Sequence, residues 1–495
     1  MIEISGVDWT YPHAEAPALH DLDLRIEPGQ FVVLCGASGS GKSTALRLMN
    51  GLIPHFHDDG VLTGTVTVDG TVTAGVELDA LGLVTGTVLQ HPRRQFFTDS
   101  AWEETAFAME NFGVPRERIR ARVEDEVAGL ARCLPVHQRL QHLSGGQQQQ
   151  VAIVAATAHD PRILLLDEPS SNLSADAVRR LTATLAGLKA AGTTIVVAEH
   201  RLRYLRELID RVVVMCGGTI DLEWTAEEFR GIPDERLAEE GLRGETRSPA
   251  VPSLAASGGS AARSAPVEQT SSGGLELDGI RCRIGGRTVL DLERVAFGAG
   301  EVTAIRGVNG AGKSTLARVV TGLQRSAGNV RLDGRDLSRR ARQRASAIVM
   351  QDVQRQLFTD SVAAELDLAA VGPGKATGAP STAFSALDAL DLGHLAERHP
   401  LALSGGQQQR LVVAAVRLAG RRIVVFDEPS SGVDRRHLQS IADQIRGLAA
   451  DGAVVLLISH DEDLLALAAD RELELVPVEP TGSAVPADPV APHGA

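Results

Sequence analysis

The sequence predicts an α/β chain in which one domain, a mainly parallel sheet core carrying an inserted helical subdomain, occurs twice in tandem. Three observations predict it. The chain repeats itself: LSGGQQQ occupies Leu143–Gln149 and Leu403–Gln409, DEPSS begins at Asp167 and Asp427, and His200 recurs as His460, each pair 260 apart (403 − 143, 427 − 167, 460 − 200). Within each copy, apolar runs of strand length alternate with helix-like stretches, the pattern of parallel strands joined by crossover helices. Between one such run and the next helix, each copy carries a glycine-rich turn, Gly36–Ser43 and Gly307–Ser314.

Taken in order, Phe31–Cys35 reads as a short apolar strand, the glycine turn follows, and Ser43–Gly51 has helical periodicity. Ile163–Leu166 and Thr194–Ala198 are further strands, each preceded by a helix-like stretch, and the second copy matches with Val302–Ile305, Ile423–Phe426 and Val454–Ile458. Mostly helical patterns fill residues 90–143 and 351–403, which are expected to form the inserted subdomain. The repeat offset drifts from 271 at GKST (312 − 41) to 261 at FTDS (358 − 97), because Gly51–Gly70 is longer than Gly322–Gly334 and three more residues are lost before the next block. A repeat this long is a whole domain and no solenoid unit. The expected domains are residues 1–242 and 275–476, joined by a linker over 243–274. In Ser248–Gly274, 20 of 27 residues are Ser, Gly, Ala or Pro, too few bulky apolar side chains to offset ordering entropy, so a flexible tether is expected. Gly372–Thr382 reads as a smaller mobile loop, and 477–495 as a Pro-rich disordered tail.

Composition bounds the function. A chain of 495 residues suits two to four domains of about 150 each. With 43% hydrophobic and 23% charged residues it has an ordinary globular balance, which excludes wholesale disorder and a coiled-coil rod. The net charge, 49 − 63 = −14, argues against a nucleic-acid binder relying on a basic surface. No run approaches the roughly 18 apolar residues of a membrane span, and the N-terminus lacks a basic start followed by an apolar block. Cys35, Cys133, Cys216 and Cys282 lack CxxC spacing, so neither a disulfide framework nor a zinc site is expected. These features together predict a soluble, acidic, intracellular chain. Only Lys42, Lys189, Lys313 and Lys375 are lysines among 49 basic residues, and two of these four stand in the glycine turns.

Both turns match GxxxxGK[ST]. Gly36, Ser38, Gly39 and Gly41 in the first, and Gly307, Asn309, Gly310 and Gly312 in the second, would let the backbone point several N–H groups at one anion, with the following helix N-terminus adding positive potential. Lys42 and Lys313 would reach the β- and γ-phosphates of a nucleotide; the hydroxyls of Ser43 and Ser314 would ligate magnesium, and Thr44 and Thr315 complete the phosphate contacts. Asp167 and Asp427 each end a four-residue apolar run, where a carboxylate can face magnesium directly or through water. Glu168 and Glu428 follow as candidate general bases for an attacking water.

LSGGQ could by itself be a helix-capping loop, Ser144 and Ser404 being good N-caps. It stands, however, 23 residues before the acidic strand end in both copies (167 − 144, 427 − 404). With the phosphate loop, the apolar-Asp-Glu strand, a glutamine between them and a histidine after the last strand, both repeats resemble the ATP-binding-cassette (ABC) ATPases, tandem P-loop NTPase domains in this case. The resemblance implies a head-to-tail pairing of cassettes around two ATP molecules, each with Mg2+. Site one would combine Lys42, Ser43, Gln90, Asp167, Glu168 and His200 with Ser404, Gly405, Gly406 and Gln407. Site two would combine Lys313, Ser314, Gln351, Asp427, Glu428 and His460 with Ser144, Gly145, Gly146 and Gln147. Gln90 and Gln351 would join the magnesium shell, and His200 and His460 would contact the γ-phosphate and orient water. The family places an aromatic under the adenine; Tyr11 fits, but Ile284 stands opposite it in the second copy. The loop after DEPSS keeps an aspartate at Asp434 and has Ser174 in the first copy. Both departures fall on site two, which is expected to bind or turn over ATP more weakly.

Gln90-His-Pro-Arg-Arg-Gln95-Phe-Phe, Gln351-Asp-Val-Gln-Arg-Gln356-Leu-Phe, Asn50-Gly-Leu-Ile-Pro-His-Phe-His57, Glu110-Asn-Phe-Gly-Val and Glu199-His-Arg are similar to the ATPases of energy-coupling factor importers. That resemblance implies a peripheral protein at the cytoplasmic face of the membrane, partnered by an integral T component and a substrate-binding S component, driving uptake of a vitamin, vitamin precursor or transition-metal ion. Phe96, Phe97, Leu357 and Phe358 would be apolar anchors for the T component, although core positions in the helical subdomain would equally suit them. His55 and His57 lack a third ligand nearby for a metal site. Two alternatives stand beside the importer reading: a fused double ATPase for sugar import, whose second cassette is usually degenerate whereas Glu428 and both signatures are intact here, and a soluble translation factor of the superfamily, whose long charged helical linker this tether does not resemble.

Overall fold

The computed structural model describes the chain except residues 13, 15, 58, 133, 172, 234–235, 238–239, 241, 243–250, 255–272, 309, 351–352, 371–386, 388–391, 404, 431–434 and 479–495. Cys133, Asn309, Gln351, Ser404, Asp434, the Gly372–Thr382 loop and nearly all of the expected tether and tail therefore lie outside the described residues.

The first copy opens with antiparallel β1 (Ile2–Thr10) and β2 (Leu19–Ile26), then β3 (Phe31–Cys35) and α1 (Lys42–Met49). The short helix α2 (Leu52–His55), β4 (Val61–Val68), β5 (Thr71–Val72), α3 (Leu78–Val84) and β6 (Thr85–Val88) lead into the helical insert: α4 (Ala101–Asn111), α5 (Arg116–Ala131) and α6 (Gly145–Thr157). It closes with β7 (Ile163–Asp167), α7 (Ala175–Ala190), β8 (Thr194–Ala198), β9 (Arg211–Cys216), β10 (Thr219–Thr225) and α8 (Ala226–Gly231). The second copy repeats the order as β11 (Gly274–Ile284), β12 (Arg287–Gly298), β13 (Val302–Arg306), α9 (Lys313–Val320), β14 (Ala327–Leu332), β15 (Arg335–Asp336), α10 (Arg339–Ala345), β16 (Ser346–Val349), α11 (Val362–Ala370), α12 (Gly405–Ala419), β17 (Ile423–Asp427), α13 (Arg435–Ala450), β18 (Val454–Ile458), α14 (Glu462–Ala468) and β19 (Arg471–Glu474).

Each copy holds one antiparallel sheet, β2-β1-β4-β5 or β12-β11-β14-β15, and one mainly parallel sheet, β10-β9-β3-β8-β7-β6 or β16-β17-β18-β13-β19. The central strands are apolar on both faces because helices and the second sheet cover them; Phe31–Cys35, Thr194–Ala198 and Val454–Ile458 are buried throughout. Register aligns their carboxyl ends: Leu34 and Asp167 both pair with Ala198, while Ile305 and Asp427 both pair with Ile458. Residues following these strands therefore gather along one edge of the sheet, where ligands of open α/β sheets bind.

Two compact units result, one of Met1–Arg247 with Arg398–Arg410 and Ser430–Ile441, the other of the remaining residues. Inside the stretch read as a tether, Ser253 bridges Glu472 in parallel; Leu254 N–H donates to Glu472 O at 2.6 Å and Glu472 N–H to Pro252 O at 3.0 Å. Leu254 is buried in the second copy's core beside β19. A short piece of the expected tether is thus an edge addition to the second sheet, held by backbone pairing and one leucine that composition averages hide.

Candidate functional site

The glycines of each loop are required by shape. Gly36 and Gly307 both have φ of +136°, and a Cβ would lie 2.1 Å from Met215 O or 2.3 Å from Leu475 O. Gly41 and Gly312 take left-handed conformations at the N-termini of α1 and α9; Gly39 and Gly310 also have positive φ. Ser38 lies in the turn between them. Lys42, buried, donates from Nζ to Gly36 O at 3.0 Å and Ala37 O at 2.8 Å. Lys313 does the same to Gly307 O at 2.6 Å and Val308 O at 3.3 Å. Each lysine thus ties back onto the carbonyls of its own loop. Burial lowers the Lys313 pKa, opposed by the Glu428 and Asp427 charges.

Ser43 Oγ donates to Asp167 Oδ1 at 2.9 Å, and Ser314 hydrogen-bonds Asp427. Burial, then repulsion from Glu168, pushes Asp167 up to about 6; burial likewise raises Asp427. A hydroxyl beside a charge-starved carboxylate is a hard-oxygen donor pair of the kind that fits Mg2+. Tyr11 lies over the same helix, its hydroxyl 3.2 Å from Thr44 Oγ1 and accepting from Arg47 Nη1 at 2.9 Å. Thr315 is the matching buried threonine of α9. Opposite Tyr11, Ile284 ends β11 at a tight hairpin, paired with Arg287 and exposed.

Glu168 and Glu428 hold positive φ of 44° and 54°, their N–H groups donating to Ala198 O and Ile458 O at 2.8 Å. Strain of this sort in a non-glycine residue aims a side chain that regular geometry would turn away. Glu168 meets His200 Nε2 at 3.1 Å through Oε1 and accepts from Gln90 Nε2 at 2.8 Å through Oε2. Burial pulls its pKa upward, but His200, Lys42 and Gln90 together bring it below the usual value. Glu428 Oε2 accepts from His460 N–H at 3.2 Å and Ser459 Oγ at 3.4 Å, and its Oε1 is 3.7 Å from His460 Nε2. Burial pushes Glu428 up to about 7. The two copies therefore hold equivalent carboxylates differently.

Ser144 caps α6 in a capping box: Gln147 N–H donates to Ser144 Oγ at 3.4 Å and Ser144 N–H to Gln147 Oε1 at 2.9 Å. The capping reading of LSGGQ is thus true in the first copy, and capping leaves the Gly145 and Gly146 amides at the positive end of the helix. Gly405, Gly406 and Gln407 are the first residues of α12.

Three sets of residues hold the site together in ways the motifs did not assign. Gln95 closes the turn after Gln90, accepting from Leu89 N–H at 3.0 Å and donating to Thr87 O at 2.9 Å; Gln356 does likewise with Met350 N–H and Ile348 O at 2.8 and 2.7 Å. Buried Glu104 accepts from Phe97 N–H, Thr98 N–H and Thr98 Oγ1 at 2.9–3.0 Å, and buried Glu365 accepts from the matching groups of Phe358 and Thr359 at 2.8–3.1 Å. Their common offset of 261 (356 − 95, 365 − 104) was the available signal. The third is Glu199, buried beside His200. Among the expected apolar anchors, Phe96 is partly buried against the first copy's core and Leu357 is buried, which suits packing, while Phe97 and Phe358 are each 76% exposed. His55 Nε2 is 3.0 Å from Thr73 O and His57 sits edge-on to Tyr11.

A phosphate cradle, an apolar-Asp-Glu strand end, a switch histidine and a Ser-Gly-Gly helix start, present twice, define a two-cassette P-loop ATPase. The chain belongs to the ABC transporter family, which it matches over residues 19–171 and 293–431, and it is an ATPase of that family. A Treponema denticola protein with the name of an ABC transporter ATP-binding protein is 38% identical over 479 residues, 96% of this chain and 95% of its own length. One of the same description from Streptomyces avermitilis is 32% identical over 552 residues, 99% of this chain and 95% of its own. The solved RNase-L inhibitor shares the fold, with TM-score 0.59 and 22% identity over 95% of this chain and 87% of that one.

Proposed function

We propose that this chain is the energy-coupling subunit of an importer of the energy-coupling factor type, hydrolysing ATP to drive uptake of a vitamin, vitamin precursor or transition-metal ion through a separate T component and S component. Residues 1–242 and 275–476 would be its cassettes, with 243–274 between them and 477–495 as a tail. Among the described residues no helix is long and apolar enough to cross a membrane, so membrane attachment would come through the partners.

The observation that carries the reading is the matched pair Phe97 and Phe358. Each is a large apolar side chain left exposed at the same repeat position, its backbone held by a buried carboxylate just beyond the Gln90 and Gln351 turns. Two such side chains, costly to leave in water and held by structured turns, suit a partner's apolar helix. Their flanking sequences are those that resemble energy-coupling factor ATPases.

At each site the loop amides and Lys42 or Lys313 would hold the phosphates, the lysines exchanging their own loop carbonyls for phosphate oxygens. Ser43 and Asp167, or Ser314 and Asp427, would hold Mg2+ with Gln90 or Gln351. When bound, Mg2+ neutralises charge on the β- and γ-phosphoryl oxygens. Glu168 or Glu428 would take the proton of the attacking water, and His200 or His460 would orient it. The other cassette's Ser404, Gly405 and Gly406, or Ser144, Gly145 and Gly146, would close each site.

Capture of the tagged chain from detergent-solubilised membranes tests the class. Integral membrane subunits are expected to co-purify; ribosomal proteins in their place would overturn it.

A further inference from the structure

Glu199 and its counterpart Ser459 occupy the position before each histidine, and they do different things. The Glu199 carboxylate, 3% exposed, accepts four hydrogen bonds. Oε1 takes His200 N–H at 2.8 Å and Arg201 N–H at 3.2 Å; Oε2 takes Tyr204 OH at 2.9 Å and Ser170 N–H at 3.3 Å. One side chain thus ties the backbone of the histidine loop to the turn that follows Glu168. The His200 ring needs such help: Nε2 faces Glu168 at 3.1 Å, while buried Nδ1 has no hydrogen-bond partner among the described residues. A ring with one polar contact is placed mainly by its backbone, and Glu199 fixes that backbone.

In the second copy Ser459 makes different contacts. Its Oγ accepts from Asp461 N–H at 3.0 Å and donates to Glu428 at 3.4 Å, and Leu464 stands where Tyr204 does in the first copy (464 − 204 = 260). The His460 ring lies 3.7 Å from Glu428, outside hydrogen-bond range.

We infer that Glu199 is a positioning residue of the first ATP site: it presets His200 against Glu168. The inference rests on the proposed roles of Glu168 and His200. It acts through His200, so removing it should matter only while His200 is present.

The test uses the full chain carrying Glu428→Gln, so that turnover reports on site one. Glu199→Gln keeps the shape and the Oε1 contacts but turns a donor toward Ser170 N–H. It is expected to lower kcat about tenfold with the KM for ATP within about twofold, a part of what a positioned proton-handling group supplies. Tyr204→Phe, which retains the ring packing and loses one donor, should lower kcat in the same direction by a few-fold. His200→Ala should lose more than either, and adding Glu199→Gln to it should cost less than about twofold further, the non-additivity expected of residues acting as a unit. Losses that multiply in the double variant, or a lowered Tm with kcat retained, would overturn the positioning role. Retention of kcat by His200→Ala would instead sink the underlying assignment of site one, and the inference with it.

Discussion

Glu168 and Glu428 show how far one residue's surroundings set its chemistry. Both end the same motif, and both carry a positive φ, yet the imidazole of His200 meets Glu168 at 3.1 Å whereas the His460 ring is 3.7 Å from Glu428. A carboxylate must be ionised and aimed to take a proton from water. Burial pushes Glu428 up to about 7, whereas the donors around Glu168 hold it below its usual range. Glu168→Gln is therefore expected to remove the larger share of ATPase activity, and Glu428→Gln the smaller. Steady-state phosphate release from the two single variants checks this; equal losses would argue against unequal sites.

At the scale of elements, the turn between β6 and α4 is held at both ends by buried or half-buried side chains. Glu104→Ala would leave two N–H groups without their acceptor, on the order of 2–4 kcal/mol in all, while the Thr98 hydroxyl keeps Ser100 O. A lowered Tm and loss of protection from proteolysis near Phe97 are the expected results. Phe97→Ser should cost little stability, because the side chain is exposed and its main contact is a stacked pair with Phe107 at 4.7 Å, about 1 kcal/mol. That variant should keep the ATPase of the isolated chain and lose recovery of membrane partners. Helix packing gives a separate prediction. A Cβ on Gly146 would stand 2.6 Å from that of Ala177, so Gly146→Ala must push α6 from α7. Calorimetry should show a lowered transition for that substitution.

The whole molecule carries its second core partly on residues that precede that copy. Leu254 is 8% exposed, and the backbone around it covers the outer side of β19. Leu254→Ala should cost about 2–3 kcal/mol in the second unit and leave an edge strand open to pairing with other chains. A lowered calorimetric transition with concentration-dependent aggregation is expected, and an unchanged transition would count against it. At the same scale, cysteines placed at Ser43 and Ser404 are expected to crosslink with trapped nucleotide, as the proposed pairing at site one requires; failure under all nucleotide conditions would refute that pairing.

Much of this was legible in the amino-acid order alone. A phosphate loop needs its glycines, lysine and serine on consecutive residues, because one turn and one helix start must surround one anion; the apolar run before Asp167 must be contiguous because a strand buried on both faces is apolar at every position. Such constraints are local, and the repeat prints each of them twice. The partners of Glu199, Gln95 and Glu104 are backbone groups, which have no signature in sequence, and a lone buried carboxylate reads like any surface one. The inward turn of Phe96 and Leu357 beside outward Phe97 and Phe358, and the docking of Leu254 on β19, depend on which face another element covers. That there are two ATPase cassettes, and which motifs they carry, is written in the order of the residues, since covalent neighbours supply those groups. How each candidate general base is held emerges only on folding, because that depends on side chains brought together from strands and loops far apart in the chain.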